Sequence, residues 1–366
     1  MTATTRKGLA ALAAIATLAT STVAPGASAV ELTISSSLPQ VHFWTGQFLD
    51  PFADAMEAET DVTFTRFYAG ELVGIGRDLD ALQGGTVDVA SPLLAPYHPG
   101  IFPLSDITQL PVYNTDSPAV TRAFQNLLDS DVELKDGKTF YDYEIGDKGI
   151  VAWALGATGA YAISTSGKEI RTPADFQGLP MRAGAALQTM TLERLGVTPV
   201  TMPAAQAYEA LSRKTIEGIL LSVADWKSYS LTDTLKFTID GVALGHWESY
   251  HAISQQAWDR LTDAQKQAFD RIARETALKN AEFIEAQADE VRAEAEGKGA
   301  VFLMVEDLSP ELQAHIATAA RDTWAQWIEQ TEANGHPARA AAKLWAELIQ
   351  AEGGVLPEGV KELLAD

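Results

Sequence analysis

The sequence predicts an α/β fold of two lobes with a cleft between them. Residues 30–90 read as alternating strands and helices, β-α-β-α-β, and residues 172–223 run through a second such alternation. One helical pattern, from 258 to 296, is longer than a single lobe needs and is expected to span both. A chain of 366 residues can build two separate cores, on the usual scale of about 100–200 residues per domain.

Residues 1–29 read as a secretory signal rather than as fold. Arg6 and Lys7 make a positive start, and residues 8–23 are apolar. Pro25-Gly26 then breaks the run, and Ala27-Ser28-Ala29 supplies the small residues that a signal peptidase reads. The apolar run is short of the roughly 20 residues that cross a bilayer, and a chain without cysteine offers no site for a lipid anchor. Cleavage after about Ala29 would leave 337 residues with a formal charge of −24, because both charges lost are basic. A periplasmic location follows as the expectation.

That acidic balance argues against nucleic-acid partners, whose phosphates call for clustered Lys and Arg, and against anionic lipid surfaces. The missing cysteines exclude a thiolate nucleophile, a thiolate zinc site and an iron–sulfur cluster. No cofactor and no metal are expected. An anionic ligand then needs a buried arginine that overrides the surrounding field.

Residues 30–36 alternate as a first strand and lead into a loop holding His42, Phe43 and Trp44. Residues 45–59 carry Phe48, Phe52, Ala55 and Met56 at helical spacing. Residues 62–66 and 87–90 read as strands, with a short helix at 77–82 between them that ends at Gly84-Gly85. A stretch with five prolines between Pro92 and Pro111 forms a long connection. Residues 150–154 make a buried strand, and Gly156 and Gly159 after it suggest a hinge.

In the second alternation Thr172-Pro173 starts a short helix as cap and first-turn proline. Strands at 179–183, 199–202 and 218–223 alternate with helices at 185–195 and 204–212. Residues 237–244 and 248–254 read as strands returning to the first lobe, with Gly241 and Gly245 as a second hinge. Helices at 310–330 and 338–350 close the chain. The organisation expected is a signal at 1–29 and a first lobe at 30–155 with return strands at about 241–257. The second lobe is 156–240 with C-terminal elements at about 297–366, and the long helix 258–296 serves both.

Arg182 ends a short apolar strand and is followed by Ala183-Gly184-Ala185-Ala186, small residues that let a ligand approach its planar fork. Its ordinary alternative is a salt bridge across the lobes. Further candidates follow strand ends, where open α/β sheets bind ligands: His42, Trp44, Phe67, Tyr68, Ser222 and Trp226. Core packing is the alternative for each.

From Lys168 to about Gln265 the landmarks resemble the solute-binding proteins of tripartite ATP-independent periplasmic (TRAP) transporters. They are Ile170-Arg171-Thr172-Pro173-Ala174-Asp175-Phe176-Gln177-Gly178-Leu179-Pro180-Met181-Arg182, then Leu195-Gly196-Val197-Thr198-Pro199-Val200, Tyr208-Glu209-Ala210-Leu211 and Glu217-Gly218. Gly70-Glu71-Leu72 and Gly85-Thr86-Val87-Asp88 resemble first-lobe elements of the same proteins. The resemblance implies a type II periplasmic binding protein-like fold and no enzymatic activity. It also implies a monomer that delivers a small organic acid to membrane permease subunits, with Arg182 gripping the carboxylate. Departures bear on the ligand. Ile219-Leu220-Leu221 stand where many relatives have Gln-Glu-Asn, and Ala160-Tyr161-Ala162 where several have a second basic residue. Pro203-Ala204-Ala205 is small where some have an aromatic. The expected ligand is a monocarboxylate with an apolar or aromatic body.

Two other readings compete: a binding protein of an ABC importer, and an exported hydrolase or lyase. No nucleophile set, dinucleotide loop or phosphate loop appears. His246 and His251, read on one strand, would point to opposite faces and share no ion.

Overall fold

The computed structural model describes residues 1–2, 29–242 and 244–365, so nearly all of the expected signal lies outside the described residues. The first lobe begins with β1 (Val30–Ser35), β2 (Val62–Phe67), β3 (Val89–Leu93) and β4 (Ile150–Ala154). The chain then crosses and lays down β5 (Tyr161–Thr165), β6 (Pro180–Ala183), β7 (Thr198–Thr201), β8 (Gly218–Ser222) and β9 (Phe237–Asp240). β10 (Tyr250–Ser254) returns to the first sheet and β11 (Val301–Met304) to the second. The orders are β2-β1-β3-β10-β4 and β11-β9-β5-β8-β6-β7. In each sheet a strand from the returning crossover, or the one entering from it, runs antiparallel between its neighbours.

Several elements depart from expectation. β5 is not among the strands expected from the sequence, yet all five of its residues are buried and it lies between β8 and β9. β9 stops at Asp240 and stays in the second sheet, with Ile163 of β5 facing Ile239; it does not return to the first lobe. The return is the irregular stretch after it. The long helical pattern is two helices. α7 (Gln255–Arg260) ends at an extended Leu261, and Thr262 then caps α8 (Asp263–Gly297). Thr262 Oγ1 accepts from the Gln265 N–H at 3.3 Å while Gln265 Oε1 accepts from the Thr262 N–H at 2.7 Å, a reciprocal capping box.

At 35 residues, α8 is about 50 Å long and touches both lobes. Asn280 Nδ2 donates to Leu155 O at 3.2 Å, where the chain leaves the first lobe, and Gln287 Nε2 donates to Ala224 O at 2.9 Å in the second. The two crossing segments are tied together. The Thr158 N–H donates to Trp247 O at 2.9 Å, and the Trp247 N–H to Thr158 Oγ1 at 2.9 Å. Gly156 sits between them at φ +106°, and a Cβ there would meet Ala277 O at 2.9 Å, so only glycine fits against α8.

The remaining helices cover the sheets. In the first lobe α1 (Asp50–Glu59) buries Phe52, Ala53 and Met56, and is preceded by a wide π-helical turn over Trp44–Leu49. α2 (Asp78–Gln83), α3 (Ser117–Leu128) and α4 (Phe140–Glu144) complete that side; α5 (Ala186–Leu195) and α6 (Ala207–Ser212) belong to the second lobe. The C-terminal helices α9 (Pro310–Ala333), α10 (Ala338–Ala351) and α11 (Val360–Ala365) divide between the lobes, so of residues 297–366, expected with the second lobe, only β11 and part of α9 lie there. α9 packs on α5, but α10 packs on α3. Trp324 Nε1 donates to Pro111 O and Trp327 Nε1 to Asp106 Oδ1, both at 2.8 Å. These tryptophans and α10 bury their apolar faces in a core shared with Val120, Phe124 and Tyr250 of the first lobe.

Candidate functional site

The site grows from β6. Its register places Arg182 opposite Ile219 of β8 and Val200 of β7, and the side chain is 2% exposed. Nε donates to Met202 O at 3.0 Å and Nη1 to Leu220 O at 3.2 Å. Among the described residues no carboxylate forms an ion pair with it, so the expected alternative of a salt bridge across the lobes is not what the structure holds. A guanidinium is costly to bury without an anion. Two neutral carbonyls fix the direction of the fork and leave its charge unbalanced.

The fork faces a cavity between the lobes, to which both lobes contribute lining residues. Five aromatic side chains stand in its walls: Trp44 and Tyr97 from the first lobe, Tyr161 and Tyr229 from the second, and Trp247 from the returning crossover. Trp247 lies 5.6 Å from Tyr97, ring centre to ring centre. Ile75, Leu94 and Leu221 add aliphatic surface, and Pro203-Ala204-Ala205 forms a low wall. Burial pushes the Tyr97 and Tyr161 hydroxyls above the usual phenol range, and Arg182 pulls both partly back. Burial likewise raises Tyr229. All three remain protonated hydroxyls able to donate.

One acid lines the same cavity. Asp225 is 3% exposed, and its Oδ1 faces His42 Nε2 at 3.4 Å. The Trp44 backbone N–H donates to His42 Nδ1 at 3.2 Å, and the Trp44 indole Nε1 donates to Gly156 O at 2.6 Å. The cavity wall is thus bonded directly to the crossing segment.

Of the residues singled out from sequence, Arg182, His42 and Trp44 lie on this wall. Tyr68 does not: its hydroxyl donates to Asp50 Oδ1 at 2.7 Å on the outer side of α1. Ser222 does not either. It is the last residue of β8, where side chains alternate, and Leu221 rather than Ser222 turns to the cavity. Trp226 is fully buried and packs on Phe302, with ring centres 5.7 Å apart, while its neighbour Asp225 reaches the site. Phe67 is half-buried at the end of β2, away from the cavity. The two histidines weighed as a pair are not on one strand. His246 lies in the irregular crossover, where its Nδ1 donates to Thr158 O at 2.7 Å and Thr115 Oγ1 donates to its Nε2 at 2.9 Å. His251 alone is on β10, among aromatic rings.

A two-lobed α/β fold with a buried, uncompensated arginine facing an aromatic cleft defines a protein built to enclose a small anionic ligand. The chain belongs to the bacterial extracellular solute-binding proteins of family 7: the family model, DctP, matches residues 34–331. The TRAP resemblance read from the sequence therefore holds, the ABC-importer alternative falls away, and the family is one of binding proteins rather than enzymes. A solute-binding protein of Albidiferax ferrireducens is 25% identical over 124 residues, which span 33% of this chain and 36% of that protein's length.

Among solved structures, a marine metagenome TRAP solute-binding protein specific for aromatic acid ligands, from an unidentified microbe, was determined with metahydroxyphenylacetate. It has a TM-score of 0.77 at 23% identity and covers 88% of this chain and 99% of its own. A TRAP solute-binding protein from Rhodoferax ferrireducens with copurified benzoate has a TM-score of 0.76 at 22% identity, covering 88% and 98%. One from Bordetella bronchiseptica with bound mandelate enantiomers has a TM-score of 0.73 at 22% identity, covering 88% and 99%. At these identities the likeness establishes the two-lobed fold.

Proposed function

We propose that this protein is the periplasmic solute-binding component of a TRAP transporter, capturing a small monocarboxylate with an aromatic body and delivering it to membrane permease subunits. On this reading residues 1–29 are an export signal cleaved after about Ala29, and the working unit is a monomer. The observation that carries the reading is Arg182: a buried guanidinium, aimed by two carbonyls, with no carboxylate partner among the described residues and aromatic walls around the space it faces. A bidentate carboxylate supplies the missing negative charge, and flat rings suit the tyrosine and tryptophan walls. That structures of the same fold hold metahydroxyphenylacetate, benzoate and mandelate supports the same ligand class.

Capture proceeds by closure of the lobes about the paired crossovers at Gly156 and Gly245. Arg182 stands on the second lobe and Trp44 on the first, so a ligand touching both stabilises the closed state by differential contact. Calorimetry with a panel of aromatic monocarboxylates, C4-dicarboxylates and sugar acids tests this. Binding confined to the aromatic acids, lost in Arg182→Ala while the thermal midpoint of the free protein is kept, is the expected result. Exclusive binding of dicarboxylates or polyhydroxy acids would overturn it.

A further inference from the structure

We propose that Asp225 makes this site selective for acids that carry a hydrogen-bond donor, a hydroxyl or an amine, on the part of the molecule away from the carboxylate. The inference rests on the reading of Arg182 as the carboxylate's partner.

Asp225 is a buried anion on the wall of the cavity that Arg182 also faces. The two are not paired with each other, and among the described residues no Lys or Arg pairs with Asp225. Among the described residues its one close polar contact is His42, at Oδ1, while its charge also reaches the Tyr161 and Tyr229 hydroxyls. The state of that imidazole follows from its other nitrogen. Nδ1 accepts the backbone N–H of Trp44, so the ring proton sits on Nε2 and points to Asp225. His42 is thus a neutral donor: it orients the carboxylate without cancelling its charge. The second oxygen, Oδ2, is buried and has no hydrogen-bond partner among the described residues. The ring of Tyr229 stands edge-on to His42 at 5.7 Å and closes that side with apolar surface.

A cavity with an uncompensated cation at one place and an under-bonded anion at another is complementary to a ligand with an acceptor and a donor. An acid whose body is wholly apolar would leave Oδ2 without a partner once the lobes close, at a cost comparable to a lost charged hydrogen bond. A second carboxylate would meet Asp225 as a like charge in a dry site. Sites built around a buried polar group reject the analogue lacking its partner more strongly than apolar pockets reject a surplus methylene.

The test is calorimetry with benzoate, meta- and para-hydroxybenzoate, and isophthalate on the unaltered protein and on Asp225→Leu. The better hydroxy acid should bind at least about tenfold more tightly than benzoate, the diacid should not bind, and Asp225→Leu should erase the preference by weakening the hydroxy acid alone. Should Asp225→Leu fail to fold, Asp225→Asn keeps the shape and should narrow the ratio, and the ratio in the unaltered protein remains decisive. Equal binding of benzoate and both hydroxy acids would overturn the role of Asp225 while leaving the aromatic monocarboxylate reading intact. A preference that survives Asp225→Leu would do the same. If none of the four binds, the monocarboxylate reading falls first and this inference with it.

Discussion

Gly184 stands against the guanidinium of Arg182. A Cβ at position 184 would lie 2.6 Å from Arg182 Nη2, 2.9 Å from Trp247 Cζ3 and 3.0 Å from Gln188 Oε1. The fork cannot retreat, because Nε and Nη1 are held by Met202 O and Leu220 O, and Gln188 is itself held by the Gly184 N–H at 2.6 Å. One absent methyl group therefore sets the position of the charge that faces the cavity.

Gly184→Ala is expected to displace the fork and weaken binding of an aromatic monocarboxylate by about tenfold or more, with an overpacking cost of about 1–3 kcal/mol in the free protein. Calorimetry on the variant measures the first and thermal unfolding the second. Affinity unchanged from the unaltered protein would mean that the guanidinium is free to move, contrary to the two carbonyl bonds.

The lobes and most of their elements were legible in the sequence because amphipathic period, caps and glycine stops are local signals. Thr172 begins a short helix and Gly196 ends the helix expected over 185–195 where the sequence places them. β5 was not legible: Tyr161-Ala162-Ile163-Ser164-Thr165 is buried on both faces and has no alternation. Only its partners β8 and β9, about 57 and 76 residues later, make it a strand. The site divides the same way. Arg182, His42 and Trp44 follow strand ends. Leu221 for Ser222 is a one-residue error of facing on a strand buried throughout, and Asp225 for Trp226 is one within the buried 3-10 turn that follows it; local pattern resolves neither. Tyr97 lies in the proline-rich connection, which carries no period at all.

Glu248 sits where the return crossover meets the hinge, its Oε1 accepting the N–H groups of Leu155 at 3.1 Å and Ser249 at 2.9 Å. Burial raises it from 4.5 to about 8, and burial raises Glu144 to about 8 as well. A carboxyl with a raised folded pKa binds a proton in the folded chain that the unfolded chain has released. Its contribution is therefore fully present below 4.5 and lost as pH climbs toward 8. His246 runs the other way, lowered by burial to about 4, but its effect ends at the unfolded value of 6.5. Between 6.5 and 8 the two glutamates act unopposed by it. The thermal midpoint should fall across that window, and Glu248→Gln, which keeps the carbonyl acceptor, should flatten the fall by a few degrees. Midpoints followed in steps of pH decide it, and an unchanged slope in Glu248→Gln would assign the effect elsewhere.

His251 is the least satisfied polar side chain of the first lobe. Neither ring nitrogen has a hydrogen-bond partner among the described residues, and the ring lies 4.3 Å from Phe52, 5.0 Å from Phe48 and 5.3 Å from Phe269, centre to centre. Burial lowers its pKa from 6.5 to about 3, so the folded chain keeps it neutral while the unfolded chain binds a proton as pH falls below 6.5. Two effects compete in His251→Leu. Aromatic packing of the imidazole on its neighbours, which leucine cannot reproduce, is worth about 0.5–1.5 kcal/mol. Relief of the unpaired buried nitrogens returns about 1–3 kcal/mol. The second is larger, so the variant is expected to be more stable by about 1 kcal/mol. Because only the histidine form is penalised by proton uptake in the unfolded chain, the gain should be greater at about pH 5 than above pH 7. Chemical denaturation at both pH values measures it. A loss of stability would show that ring packing outweighs the unpaired nitrogens, and a gain equal at both would show that the neutral folded imidazole is not its source.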